Sequence, residues 1–188
     1  MDQTNNSDRT SNLLKSIKDL PFPPVEEWNP DYCGEMDLSI KSDGSWWLEG
    51  TPFARVKMQK LFARIIKKEN DKFFLVTPVE KLGIQIEWQP FVMTDFEVIK
   101  RDDTNCFSFK DNLDNQVVIT DPDQIKLSSF QGQLLPIIHV RRNLYASLHR
   151  NCYYHLLDAA EIVSEQDKLT VYIQSNNHKI CIGHSVVD

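Results

Sequence analysis

The chain has 188 residues, 41% of them hydrophobic and 26% charged, with a net charge of −6. That length suits one large domain or two small ones, and an acidic, core-forming composition excludes a wholesale nucleic-acid coat while leaving room for a local basic face. Nowhere do about 18 apolar residues run together, and the polar start MDQTNNSDRTSN lacks the apolar stretch of a secretory signal, so no membrane span and a cytoplasmic location are expected.

Residues 1–20 read as a flexible tail with a short helix, in which Leu13, Leu14, Ile17 and Leu20 have helical spacing before PFPP stops them. The proline-rich passage to Pro30 is expected to be extended. In DLSIKSDGSWWLEG two strand-like runs flank Ser42-Asp43-Gly44-Ser45, where Gly44 supplies the positive φ of a tight hairpin. Thr51-Pro52 is either an N-cap with a first helical residue or the end of a strand. Either way a helix follows to about Lys68, burying Met58, Leu61, Phe62, Ile65 and Ile66 and exposing Lys57, Lys60, Arg64, Lys67 and Lys68. Residues 72–77 and 83–88 are predicted strands.

From Pro90 the pattern is strand-rich, with strands at 92–100, 106–110, 117–120 and 125–127 and the turns RDDTN and DNLDN between them. A second helical stretch follows Ile137-Ile138-His139-Val140 on the spacing of Tyr145, Leu148, Cys152, Leu156, Ala159 and Val163, as one helix or two. A hairpin of residues 169–174 and 179–183 about Ser175-Asn176-Asn177 ends the chain. The expected organisation is the tail, a domain at 21–89 and a strand-rich domain at 90–188. A weak internal repeat aligns PFARVK (52–57) with PIIHVR (136–141), each entering a helix, and DKFFLV (71–76) with DKLTVY (167–172), each opening a strand. Duplication and chance similarity both remain open at this point.

The run Trp28-Asn29-Pro30, Cys33-Gly34, Asp37, Ile40, Asp43-Gly44, Trp46, Gly50, Pro52, Arg55, LVTPVE (75–80) and Pro90-Phe91, with a second block at 136–144 holding Arg141, resembles the uncharacterised bacterial domain-of-unknown-function family 1285. The resemblance covers nearly everything after the tail. It implies an α+β protein of two related small domains, each with antiparallel strands packed on a helix, the C-terminal half resembling a pleckstrin-homology-like fold. It also implies a nucleotide-like ligand bound between the domains and a signalling role, with no established activity. The chain departs from the family in Asn151, where a helix-breaking proline is expected, and in Trp88, where a smaller or acidic residue is usual.

Cys33 with Asp37 offers a thiol and a carboxylate, but nucleophilic catalysis by cysteine needs a base, and no histidine precedes His139. The bland reading is a packing thiol, with Asp37 accepting backbone hydrogen bonds from a Cys33-Gly34 turn. Cys33, Cys106, Cys152 and Cys181 are too far apart for a close-set zinc pair and are expected as free thiols. The five histidines have no metal-ligand spacing and no phosphate-loop motif is present, so no metal and no cofactor are expected. Trp46 and Trp47 alternate across a strand, so one belongs to a core and the other is available to a ligand. Arg55 and Arg141-Arg142 are read at helix starts, where the positive dipole disfavours a cation and invites an anion.

The candidate ligand residues are therefore Arg55, Arg141, Arg142, His139, Trp46, Asp37 and Cys33, and the leading expectation is a sensory module for a nucleotide-like or other anionic small molecule. An enzyme joining Cys33 or a carboxylate to a histidine of the second half, and a protein-interaction scaffold, are the rivals.

Overall fold

The structure, a computed structural model, describes residues 23–165 and 168–186. The predicted helix holding Leu13 to Leu20 lies outside the described residues. Contacts divide the chain into two compact units, one made of the described residues up to Lys41 with Ser45–Glu87, the other of Ser42–Gly44 with the described residues from Trp88 on.

In the first unit the order is β1 (Tyr32–Ile40), β2 (Trp46–Leu48), β3 (Thr51–Pro52), α1 (Val56–Arg64), β4 (Ile66–Glu69), β5 (Lys72–Val76) and β6 (Lys81–Ile86). Its sheet runs β3-β2-β1-β6-β5-β4. The sheet is mixed where antiparallel strands alone were expected: β1 and β6 pair in parallel, because α1 carries the chain across and the β4-β5-β6 meander returns it beside its start. Alternation along β1 buries Met36, Leu38 and Ile40 and leaves Asp37 exposed. Phe62 of α1 is fully buried and stacks on Phe53 with centroids 6.0 Å apart. The passage before β1 is not simply extended, since Val25 and Glu27 donate to Pro23 O and Pro24 O in a pair of turns.

The first helix is shorter than its periodicity suggests. Thr51-Pro52 forms β3, and the helix ends at Arg64. Ile66, Lys67 and Lys68 leave the expected helical stripe for β4, where Ile66 pairs with Leu75 and Lys67 donates to Trp28 O at 3.2 Å. Consecutive β-branched residues at 65 and 66 favour that extended exit.

The second unit contains β7 (Phe91–Arg101), β8 (Thr104–Asp111), β9 (Gln116–Val118), a 3-10 turn at Pro122–Gln124, β10 (Ile125–Phe130), β11 (Gln133–Arg141), β12 (Leu144–Leu148), α2 (Arg150–Asp158), β13 (Glu161–Glu165), β14 (Lys168–Ser175) and β15 (His178–Val186). One sheet runs β10-β11-β12-β7-β8-β9, with β12 and β7 parallel, and another runs β13-β14-β15. Three hairpins close on two successive left-handed residues: Asp102-Asp103 (φ 48 and 63), Gln131-Gly132 (φ 49 and 78) and Asn176-Asn177 (φ 49 and 63). This backbone twist suits antiparallel strands, and Asn, Asp and Gly tolerate it best.

The second helical stretch is corrected to the nine residues of α2. Tyr145 and Leu148 belong to β12 and Val163 to β13. The PIIHVR segment is likewise strand β11, with β12 still to come before α2, so it is not the counterpart of PFARVK at a helix entrance. The other half of the repeat holds: a helix followed by a three-strand meander recurs as α1-β4-β5-β6 and α2-β13-β14-β15, and Lys72 and Lys168 begin β5 and β14. The fold is thus α+β with two similar domains.

Within the second unit a polar seam ties the β14–β15 turn to the larger sheet. Buried Ser175 donates to Ile119 O at 2.6 Å and accepts from Phe107 N at 2.9 Å, while Asn176 donates to Thr120 O and accepts from Thr104 Oγ1, both at 2.8 Å. Ser175→Ala leaves a buried N–H and a buried carbonyl without this partner, and should cost about 2 kcal/mol in a denaturant melt. A melt matching the wild type would show that the seam carries no stability.

Candidate functional site

Three segments of the second unit surround a cavity of about 570 Å3. The first is the β10–β11 hairpin, whose two-residue turn sets Phe130 opposite Gln133. Phe130 stacks on Trp88 with centroids 4.5 Å apart and planes 13° from parallel. Leu135, Pro136 and Leu148 extend this apolar wall, and Gln131 and Gln133 give it a polar edge.

The second segment is the passage from β12 into α2. Leu148 pairs with Met93, and the next residue, His149, donates its N–H to Met93 O at 2.8 Å before becoming the N-cap of α2. The cap is made by His149 Nδ1 accepting from Asn151 N at 3.4 Å, which requires the tautomer with its proton on Nε2. Asn151 therefore stands in the first turn, a place where proline is tolerated and need not break the helix. The same turn presents Arg150, Tyr153 and Tyr154 to the cavity. Arg150 Nε donates to Tyr154 Oη at 3.1 Å, and its guanidinium carbon lies 5.4 Å from that ring, so the pair one helical turn apart holds the cation in place. Burial raises the Tyr153 phenol above its usual range and keeps it neutral.

The third segment is the turn Ser42–Gly44, with Ser42 and Asp43 on the cavity rim. Gly44 has φ +85, and its carbonyl accepts from Asn112 Nδ2 at 3.1 Å.

An arginine at the first helical position, where the dipole alone disfavours a cation, and four aromatic rings share one concave surface. Such a surface favours a flat molecule carrying negative charge. The indole N–H of Trp88 is buried without a partner, as is that of Trp46, the two buried side-chain polar atoms in that condition among the described residues.

The sequence-predicted residues lie elsewhere. Cys33 is exposed on β1 and its Sγ donates to Asp31 O at 3.2 Å. Cys33 and Gly34 are strand residues, so the turn that Asp37 was expected to hold does not exist; Asp37 is an exposed β1 residue whose carbonyl accepts from Glu49 N. Trp46, at 2% exposure, is core and offers no face to a ligand, whereas half-buried Trp47 donates to Ser45 Oγ. Arg55 does stand at a helix start, the N-cap position of α1. Arg141 ends β11 with its guanidinium 4.8 Å from the Phe91 ring, and Arg142 occupies the following turn with φ 52, so neither is at a helix start. His139 Nε2 bonds the Arg142 carbonyl at 2.5 Å and its ring meets Tyr145 edge-on. His139 and Arg142 are thus brought together, but none of the seven residues lines the cavity. Arg150 and Tyr154 were missed; their four-residue spacing directly after a buried strand is the signal that marks them.

All four cysteines are free. Burial, with the nearby charge of Asp95 second, pushes the Cys152 thiol up to about 12. At pH 8 a maleimide should label exposed Cys33 quickly and buried Cys106 and Cys152 only after denaturation. Mass-spectrometric mapping with Cys152 among the first sites labelled would contradict this packing. Among the described residues no group of three or more His, Cys, Asp and Glu is placed to hold a metal ion, and no helix is long and apolar enough to cross a membrane.

Residues 23–89 match the profile of the domain of unknown function DUF1285, N-terminal domain, and residues 90–180 match that of its C-terminal domain. The crystal structure of a DUF1285 family protein from Silicibacter pomeroyi DSS-3 is similar with a TM-score of 0.76 and 32% identity, over 92% of this chain and 93% of that one. A DUF1285 family protein from Shewanella baltica OS155 is similar with a TM-score of 0.54 and 29% identity, over 65% of this chain and 91% of that one. No curated protein matches.

Proposed function

We propose, from the premise that the chain belongs to the DUF1285 family, that it is a cytoplasmic ligand-binding module with a sensory role, and that its second unit takes a small, planar, anionic molecule, nucleotide-like in that sense. What supports this most is the joining of the Trp88–Phe130 stack and Arg150 in one cavity. The aromatic wall supplies area for a flat ring, and the guanidinium, braced by Tyr154, supplies a donor pair for a carboxylate or phosphate. The volume falls within the usual range for small-molecule sites. The pleckstrin-homology-like reading of the C-terminal half belongs to this proposal, as a scaffold of largely antiparallel strands and one helix suited to presenting such a site.

Thermal unfolding in the presence of indole-3-propionate and of adenosine monophosphate tests it. A ligand at a hundredfold excess over its dissociation constant stabilises by roughly 2.7 kcal/mol, a shift easily read. At least one of the two should raise the melting temperature of the wild type, and Arg150→Ala should lose the rise while melting normally without ligand. No rise from either compound, or an equal rise in Arg150→Ala, would refute the site.

A further inference from the structure

We infer that Asp43 sets the ligand class of this cavity: the preferred molecule couples its planar ring and anionic group to an amine, so that an aromatic zwitterion binds better than the corresponding plain acid. The inference rests on reading the cavity as a ligand site. Its wall carries charges of both signs on different elements, the Asp43 carboxylate on the turn Ser42–Gly44 and the Arg150 guanidinium in the first turn of α2. A molecule with only a negative group gains from Arg150 and is opposed by Asp43. One that also bears an ammonium turns that opposition into a charge-assisted hydrogen bond.

Asp43 is not on a loose rim. Asn112 donates through Nδ2 to the Gly44 carbonyl, while its Oδ1 accepts from Val92 N at 3.3 Å and its N–H donates to Val92 O at 2.9 Å. The loop carrying Asn112 is itself held by buried Asp111, which accepts from Leu113 N, Asn115 N and Asn115 Nδ2, each at 2.8 Å. One of these bonds reaches the residue next to Asp43 and the other two tie Asn112 to β7, so the backbone of the turn is anchored through Asn112, which makes it a positioning residue. A carboxylate carried on anchored backbone loses less freedom on meeting a cation than one on a mobile loop, a condition that favours discrimination.

Tryptophan and indole-3-propionate form a matched pair, sharing ring and carboxylate and differing by one ammonium group. Titration calorimetry on the full chain should find tryptophan bound about tenfold more tightly, as one charge-assisted contact implies. Asp43→Asn keeps a turn-forming side chain and removes the charge, so it should bring the two affinities together with indole-3-propionate bound at least as well as before. Asn112→Ala should narrow the preference while leaving indole-3-propionate unchanged. Equal wild-type affinities, or a preference that survives Asp43→Asn, would overturn the role of Asp43 while an Arg150-dependent site still stood. Binding of neither compound would overturn the inference, and the site with it where adenosine monophosphate also gives no Arg150-dependent rise.

Discussion

Gly44→Val should lower the unfolding free energy by about 2–5 kcal/mol, the sum of a left-handed conformation forced on a branched residue and of overpacking. The glycine sits at φ +85, and a Cβ there would lie 3.0 Å from both Asn112 Nδ2 and Val92 Cγ2. Neither neighbour yields cheaply. Asn112 is tied to Val92 by bonds in both directions, and Val92 is buried within β7. Denaturant melts of this variant that overlay the wild type would remove the account of the turn. A loss of stability confined to about 0.5 kcal/mol would show that the loop moves aside.

Phe62→Ala should cost about 3–5 kcal/mol, through the transfer of a large aromatic group and the cavity left behind. The side chain, in the last turn of the short α1, is fully buried, and its ring lies 25° from parallel to that of Phe53. α1 has no side-chain N-cap, so packing rather than capping holds it, and the helix should be lost together with its anchor. The check is the midpoint of denaturant unfolding followed by far-ultraviolet circular dichroism. A shift equivalent to less than about 1 kcal/mol would mean that this core is far looser than the packing of Phe62 on Phe53 implies.

The parts of this fold that could be read in advance are those with local causes. Alternation in EMDLSI marks a strand because side chains change face at every residue, the short apolar run FFLV marks one buried on both faces, and DG, DD and NN pairs mark turns because so few residues accept positive φ. β5, β7, β8 and the β14–β15 hairpin were legible for that reason. β12 was not. It pairs with β7 along one edge and β11 along the other, partners that are distant in sequence, while its Tyr145 and Leu148 happen to extend the three- and four-residue spacing of α2 backwards. Lys67 and Lys68 were drawn into the helix by the same ambiguity, until Ile66 found its partner Leu75.

The candidate site was hidden for a different reason. Arg55 at a helix start was visible from Thr51-Pro52 and the apolar spacing after it, but Arg150 gains meaning only from Trp88 and Phe130, which chain pairing brings to the same cavity. Asp43-Gly44 was legible as a turn, and its place on the cavity rim was not, because Asn112 lies 68 positions away.

The central claim, that the second unit binds a planar anion against Trp88 and Arg150, is tested most directly by a crystal structure of the full chain grown with indole-3-propionate. The account predicts the indole ring on the Trp88–Phe130 wall and the carboxylate within about 3 Å of the Arg150 guanidinium. Density for the compound away from this cavity, or a cavity left without it at saturating concentration, would contradict the claim.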